Sequence, residues 1–98
     1  MIRSILVIKF KPEATEAQIE AFAEALAAIP FEGRRSFEFH RSARLAADPG
    51  DAMDALTISD FDDEDAYEAW LADADHHRVR SEFLDPIRER RDRFLYEV

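Results

Sequence analysis

The chain has 98 residues and no cysteine, and its 22 acidic and 13 basic side chains give a net charge of −9. That length supports one domain, residues 1–98, and leaves much of its surface unburied, so a second copy covering apolar area would stabilise it. The negative charge argues against nucleic acid or an anionic membrane as partner, since both need a positive footprint. The missing cysteine excludes disulfides, zinc–thiolate sites and thiol nucleophiles.

Hydrophobic residues make up 47% of the chain, too many for a disordered one. The apolar run Ile5 to Ile8 is far too short to span a bilayer. The first ten residues lack a signal-peptide core, so a soluble, cytoplasmic protein is the expectation.

Ile2 to Phe10 reads as a strand, rich in Ile, Leu and Val. Ile2, Ser4, Leu6, Ile8 and Phe10 share one face, and Arg3, Ile5, Val7 and Lys9 the other. Both faces are apolar at their centre, which predicts a central strand. Pro12 ends it. Thr15 and Gln18 form a capping box, and Ile19, Phe22, Ala23, Leu26 and Ile29 follow at helical spacing. Pro30 and Gly33 close that helix. Arg34 to Arg41 alternates as a second strand, at an edge because Ser36, Glu38 and His40 make one face polar.

Ala46 to Asp51 is a loop by its Pro-Gly content. Ala55 to Phe61 is a third strand. The acidic run Asp62 to Asp65 suits the positive end of a helix dipole. Tyr67, Trp70, Leu71 and Ala74 then make one apolar helical face. Asp73 to Asp75 interrupts it, and a further helix runs from about His76 with Val79, Phe83 and Ile87 on one stripe. Pro86 kinks or ends that helix. Arg93 to Val98 alternates as the last strand.

The order is β-α-β-β-α-β, the ferredoxin-like α+β unit: a four-stranded antiparallel sheet with helices on one face. The other face then leaves Ile5 and Val7 uncovered. A homodimer with sheets packed face to face is the simplest cover.

His76 is the sharpest chemical candidate. At about 100° per residue, Val79, Phe83 and Ile87 lie within about 60° of it, so it faces the sheet. A histidine there is either a neutral core residue bonded to a backbone carbonyl or a general base in a cavity. His77 falls at the edge of the stripe, and His40 on a solvated strand edge. Asp73, Asp75, His76 and His77 lack the spacing of a metal site, so no metal is expected. Ser4 faces inward without a nucleophile-elbow motif. The cluster Arg88, Arg90, Arg91 and Arg93 is diluted by Glu89 and Asp92.

Taken together, the opening MIRSILVIKFKPEATEAQIEAF, the SFEF strand, the LTISDFDDEDAYEAWL stretch and the closing RFLYEV strand resemble the stress-responsive A/B barrel family, known as Dabb. The resemblance covers nearly the whole chain and implies a homodimeric α+β barrel. Most members have no established reaction. One, olivetolic acid cyclase, closes a linear polyketide without cofactor, using a histidine as base and a nearby tyrosine. The family pattern around that site, Tyr-x-x-His-Pro-x-His, corresponds here to WLADADH. Its final histidine falls on His76. Trp70 stands in place of the tyrosine, Asp73 and Ala74 in place of His-Pro, and Ser4 where many members carry a histidine.

Two readings follow. One is a small-molecule-binding or structural protein with a small or filled cavity, in which Trp70, Phe22, Leu26 and Phe83 pack together. The other is a cofactor-independent cyclase- or lyase-type enzyme acting on a small apolar carbonyl compound, with His76 as base and Tyr67 supplying a hydroxyl. Ser4, Leu6, Phe22, Leu26, Trp70, Val79 and Phe83 would line the pocket. A third, weaker reading is a monooxygenase-like relative on the same barrel.

Overall fold

A computed structural model describes residues 1–45, 47, 50 and 52–98. Strand β1 (Ile2–Phe10) is central, as its two apolar faces require. It pairs antiparallel with β3 (Ala55–Phe61) on one side and with β4 (Arg88–Glu97) on the other, and β2 (Arg34–Arg41) lies outside β3. The sheet order is β2-β3-β1-β4, the ferredoxin-like arrangement. The predicted loop at Ala46 to Asp51 falls mostly outside the described residues. Strand β4 begins at Arg88, five residues before the predicted Arg93. A charged stretch makes a poor strand signal, but an edge strand keeps such side chains in water while its backbone pairs as far as Phe10 of β1.

Helix α1 (Glu16–Ala27) starts on the predicted capping box: the Gln18 N–H donates to Thr15 Oγ1 at 3.2 Å, and the Thr15 N–H to Gln18 Oε1 at 2.9 Å. At its other end Arg34 donates to the carbonyls of Leu26, Ala27 and Ile29 at 3.1–3.2 Å, pairing acceptors that a helix end leaves open. The turn before β2 runs so close to α2 (Glu64–Ala72) that a Cβ on Gly33 would lie 2.8 Å from the Ala66 Cβ.

Asp63 caps α2 through the Ala66 N–H at 2.8 Å. The interruption between the next two helices is shorter than predicted. Asp73 alone makes it, donating its N–H to the Trp70 carbonyl and accepting the His76 N–H at 2.9 Å. Helix α3 (Ala74–Val79) therefore starts two residues before His76, and Ala74 is exposed there instead of extending the α2 face.

Helix α3 runs straight into a π turn (Arg80–Leu84), closed by the Asp85 N–H on the Arg80 carbonyl at 2.8 Å. This alters the predicted stripe at Phe83 alone, since Val79 and Ile87 are buried in the core. The wider turn inserts one residue, so Leu84, not Phe83, follows Val79 into the core. Pro86 comes just after the turn and ends it.

The core lies between the helices and one face of the sheet, centred on Ile8, Phe22, Phe61, Val79 and Leu84. Among the described residues no helix lies on the opposite sheet face. Its cross-strand rows run Glu38–Ile58–Ile5–Phe94 and His40–Leu56–Val7–Asp92, and Phe94 is 63% exposed. Arg3 and Asp60 pair beside these rows at 2.7 and 2.9 Å. Among the described residues no helix is long and apolar enough to cross a membrane.

Candidate functional site

His76 sits in the first turn of α3, half-buried and turned toward the sheet as the helical wheel predicts. Its Nδ1 lies 2.9 Å from the Trp70 carbonyl oxygen, and its ring stacks on the Trp70 ring with centroids 4.3 Å apart and planes 19° apart. A carbonyl only accepts, so Nδ1 carries the proton and Nε2 keeps its lone pair. Among the described residues Nε2 has no hydrogen-bond partner. Burial pushes the His76 pKa below the ordinary histidine value; the Trp70 carbonyl opposes this, and Arg80, His77 and Arg93 reinforce it. The imidazole is therefore neutral at pH 7, held by two contacts to one residue, with a basic nitrogen free.

Two small cavities adjoin His76 between the helices and the sheet. The first, about 40 Å³, is bordered by Ser4, Thr57, Ser59, Tyr67 and Trp70. Strand register builds its hydroxyl floor: Ser4 stands opposite Ser59, and Leu6 opposite Thr57. The Tyr67 hydroxyl is buried without a hydrogen-bond partner. The second, about 30 Å³, lies among Leu6, Phe22, Leu26 and Leu84, with Arg80, Arg91 and Arg93. At roughly 10–15 Å³ per water, the two spaces hold only a few waters.

The predicted site residues thus divide. His76, Tyr67, Ser4, Leu6, Phe22, Leu26 and Trp70 all border these cavities. Val79 and Phe83 do not. Val79 is fully buried in the core, and Phe83 borders a separate outer groove with Gln18, Ala21 and Pro86, because the π turn rotates it away. His40 lies 3.0 Å from Glu38 on the solvated strand edge, as predicted. His77 accepts a hydrogen bond from Arg80 at 3.1 Å, since a guanidinium only donates. Asp73 is engaged in capping, and among the described residues no group of three or more ligand-type side chains could hold a metal ion.

Sequence reading missed Thr57, Ser59, Arg80, Arg91 and Arg93. The first two were legible as alternate positions of β3 that register opposite the Ser4 face of β1. The arginines were not, because their meeting depends on the π turn and on the early start of β4. The largest hollow described, about 330 Å³, opens elsewhere, between α2 and β4 beside Leu71, Leu95 and Tyr96. Tyr67 borders it too, with Glu64, Glu68 and Glu97, and among the described residues no histidine or arginine lines it.

The sequence profile of the stress-responsive A/B barrel domain, Dabb, matches residues 2–98. The chain belongs to that family. No curated protein matches it. Among solved structures, a dimeric ferredoxin-like protein of unknown function from Thermobifida fusca is similar at 26% identity, with 99% of this chain and 90% of that one covered and a TM-score of 0.82. A protein of Arabidopsis thaliana aligns at 16% identity over 100% and 95% of the two chains, with a TM-score of 0.87. A hydroxynitrile lyase from Passiflora edulis aligns at 15% identity over 99% and 92%, with a TM-score of 0.81. These last two likenesses concern the fold.

Within this Dabb domain, two departures from the Tyr-x-x-His-Pro-x-His pattern have a local consequence. Trp70 supplies the surface on which His76 stacks. Asp73 caps α3 and so fixes where the His76 side chain starts. Tyr67, one turn earlier, brings a phenol to this cavity.

Proposed function

We propose that this Dabb protein is a homodimer that binds a small molecule at His76. The observation that carries this reading is the convergence of unpartnered polar groups on one interior space. Among the described residues His76 Nε2 and the Tyr67 hydroxyl have no hydrogen-bond partner, and both residues border the cavity that Ser4, Thr57 and Ser59 line. A buried polar atom is nearly always paired, so the Tyr67 hydroxyl, buried and open beside a basic imidazole nitrogen, is what a ligand's polar end would complete.

The uncovered sheet face supports a homodimer. Its two cross-strand rows are apolar at their centre, with Ile58 and Ile5 in one and Leu56 and Val7 in the other, and the first ends in an exposed Phe94. The T. fusca relative is itself dimeric. The binding test is a titration with small ketones and 1,3-dicarbonyl compounds, followed by NMR at the indole N–H of Trp70. The chain has one tryptophan, so that signal is unambiguous. Saturable shifts in the wild type that vanish in His76→Leu are expected. Shifts of equal size in both proteins would place the ligand elsewhere.

A second reading is favoured by the state of the imidazole. A neutral histidine whose Nδ1–H is tied to a carbonyl presents Nε2 as a general base. It would take a proton α to a carbonyl, or from the hydroxyl of a hydroxynitrile as the P. edulis fold relative suggests, with the Tyr67 hydroxyl donating to the oxygen that gains charge. Deuterium uptake at the α-carbon of a small 1,3-dicarbonyl compound measures the first step directly. Equal uptake by wild type and His76→Gln would remove the catalytic reading and leave the binding one.

A further inference from the structure

Three arginines border the cavity at His76, and among the described residues that line it there is no carboxylate. Arg80 comes from the start of the π turn, and Arg91 and Arg93 from the helix-facing side of β4, opposite Ile8 and Leu6. Among the described residues none of the three has an acidic oxygen within 4 Å. The chain carries 22 acidic side chains for 13 basic ones, so partners are not scarce. Nearby arginines do have them: Arg78 pairs with Glu82, Arg88 with Asp85 and Arg90 with Asp92. Strand alternation accounts for Asp92, while Glu89 falls at the register shift and borders a separate hollow with Lys9 and Lys11. Asp92 pairs across to Val7 on the far face of the sheet, so it cannot neutralise Arg91 or Arg93.

Crowding like charges beside a low-dielectric core is unfavourable unless something offsets it. Burial, followed by Arg88, Arg93 and Arg80, lowers the Arg91 pKa below the ordinary guanidinium value, and Asp85 opposes this only in part. The His77 ring holds Arg80 in place by accepting its N–H. The site is therefore built, positive and open on its ligand side.

We propose that Arg80, Arg91 and Arg93 bind the carboxylate of a small oxo-acid, whose carbon chain lies on Phe22 and Leu26 and whose carbonyl end reaches His76. This deepens the binding reading given above and rests on it. Lining selects the class: beside the guanidinium groups stand the apolar walls of Leu6, Phe22, Leu26 and Leu84, which a carbon stem would cover. Planar guanidinium groups also match carboxylate geometry.

The test uses sodium acetoacetate, its neutral methyl ester and inorganic phosphate at constant ionic strength, read at the Trp70 indole N–H. Acetoacetate should bind saturably and more tightly than the ester. Arg91→Gln and Arg93→Gln should each weaken it about ten- to a hundredfold, the range of one charge-assisted hydrogen bond. Arg78→Gln, an exposed control, should leave it unchanged, and Arg91→Lys, which keeps the charge without the planar fork, should lose less than Arg91→Gln while showing that the strand tolerates substitution. Equal acetoacetate affinity in wild type and both glutamine variants overturns the proposal. Tighter binding of phosphate than of acetoacetate overturns the carboxylate assignment. If the ester binds at His76 and acetoacetate gains nothing over it, the arginine site fails and the pocket stands. If neither binds, both fail.

Discussion

Removing one oxygen from Tyr67 tests the site through stability. The side chain is 7% exposed, and its ring packs edge-on against Phe61 with centroids 5.4 Å apart. Tyr67→Phe keeps that ring and deletes only the unpartnered hydroxyl. Burying a hydroxyl without a hydrogen bond costs about 1–3 kcal/mol on mutational scales, so the variant should be more stable by about 1 kcal/mol or more. For a domain of this size, 1 kcal/mol moves Tm by about 4–8 °C. Urea unfolding with both proteins at the same concentration measures it, because a dimer's stability depends on concentration. The midpoint should rise with the slope unchanged. Ligand binding at the Trp70 signal should weaken in the same variant, since a hydroxyl kept at a cost to stability is kept for function. A loss of stability of 0.5 kcal/mol or more would show that the hydroxyl is paired in the native protein, and the argument for an open site would lose one of its two groups.

Three further outcomes follow. His76 has a lowered folded-state pKa, so the unfolded chain takes up its proton first. Stability is then full above the ordinary value of about 6.5, declines as pH falls through it, and levels off below the lowered folded pKa; between pH 7 and 5.5 that slope should be shallower in His76→Gln, and an unchanged slope would refute a buried neutral imidazole. Phe94→Glu puts a charge on the uncovered sheet face. Losing one buried Phe is worth about 1.5–3 kcal/mol, so the dimer's dissociation constant should rise at least tenfold by analytical ultracentrifugation, and an unaltered constant places the interface elsewhere. Gly33→Ala drives a methyl against Ala66 at 2.8 Å and should cost about 1–3 kcal/mol. Ala66→Gly in the same chain should recover part of that loss, and equal stability of the single and double mutants would mean the contact is not the cause.

The elements that stand on local chemistry were readable without coordinates. Three strands were bounded correctly because apolar alternation is a strong signal. The Thr15–Gln18 box placed the start of α1 because a cap is a contact between near neighbours. The inward turn of His76 followed from the helical period alone, and Ser4 from the strand period. Resemblance along the whole chain supplied the family, which the profile match over residues 2–98 bears out.

What the sequence left undetermined depends on geometry that no short window contains. The π turn advances the helix phase by one residue, exchanging Phe83 for Leu84 in the core and opening on Arg80. A local reading of the arginines in β4 counted Glu89 and Asp92 as neutralising them. Pleating sends Asp92 to the opposite face, and antiparallel pairing with β1 carries Arg91 and Arg93 to the helices. The size of the space beside His76 is likewise a sum over residues from β1, α1, β3, α2, α3 and β4. Periodicity decided which side chains face inward, because it is a property of each element alone. Tertiary packing decided which of them meet and how much room they leave, because that depends on the relative placement of elements far apart in the chain.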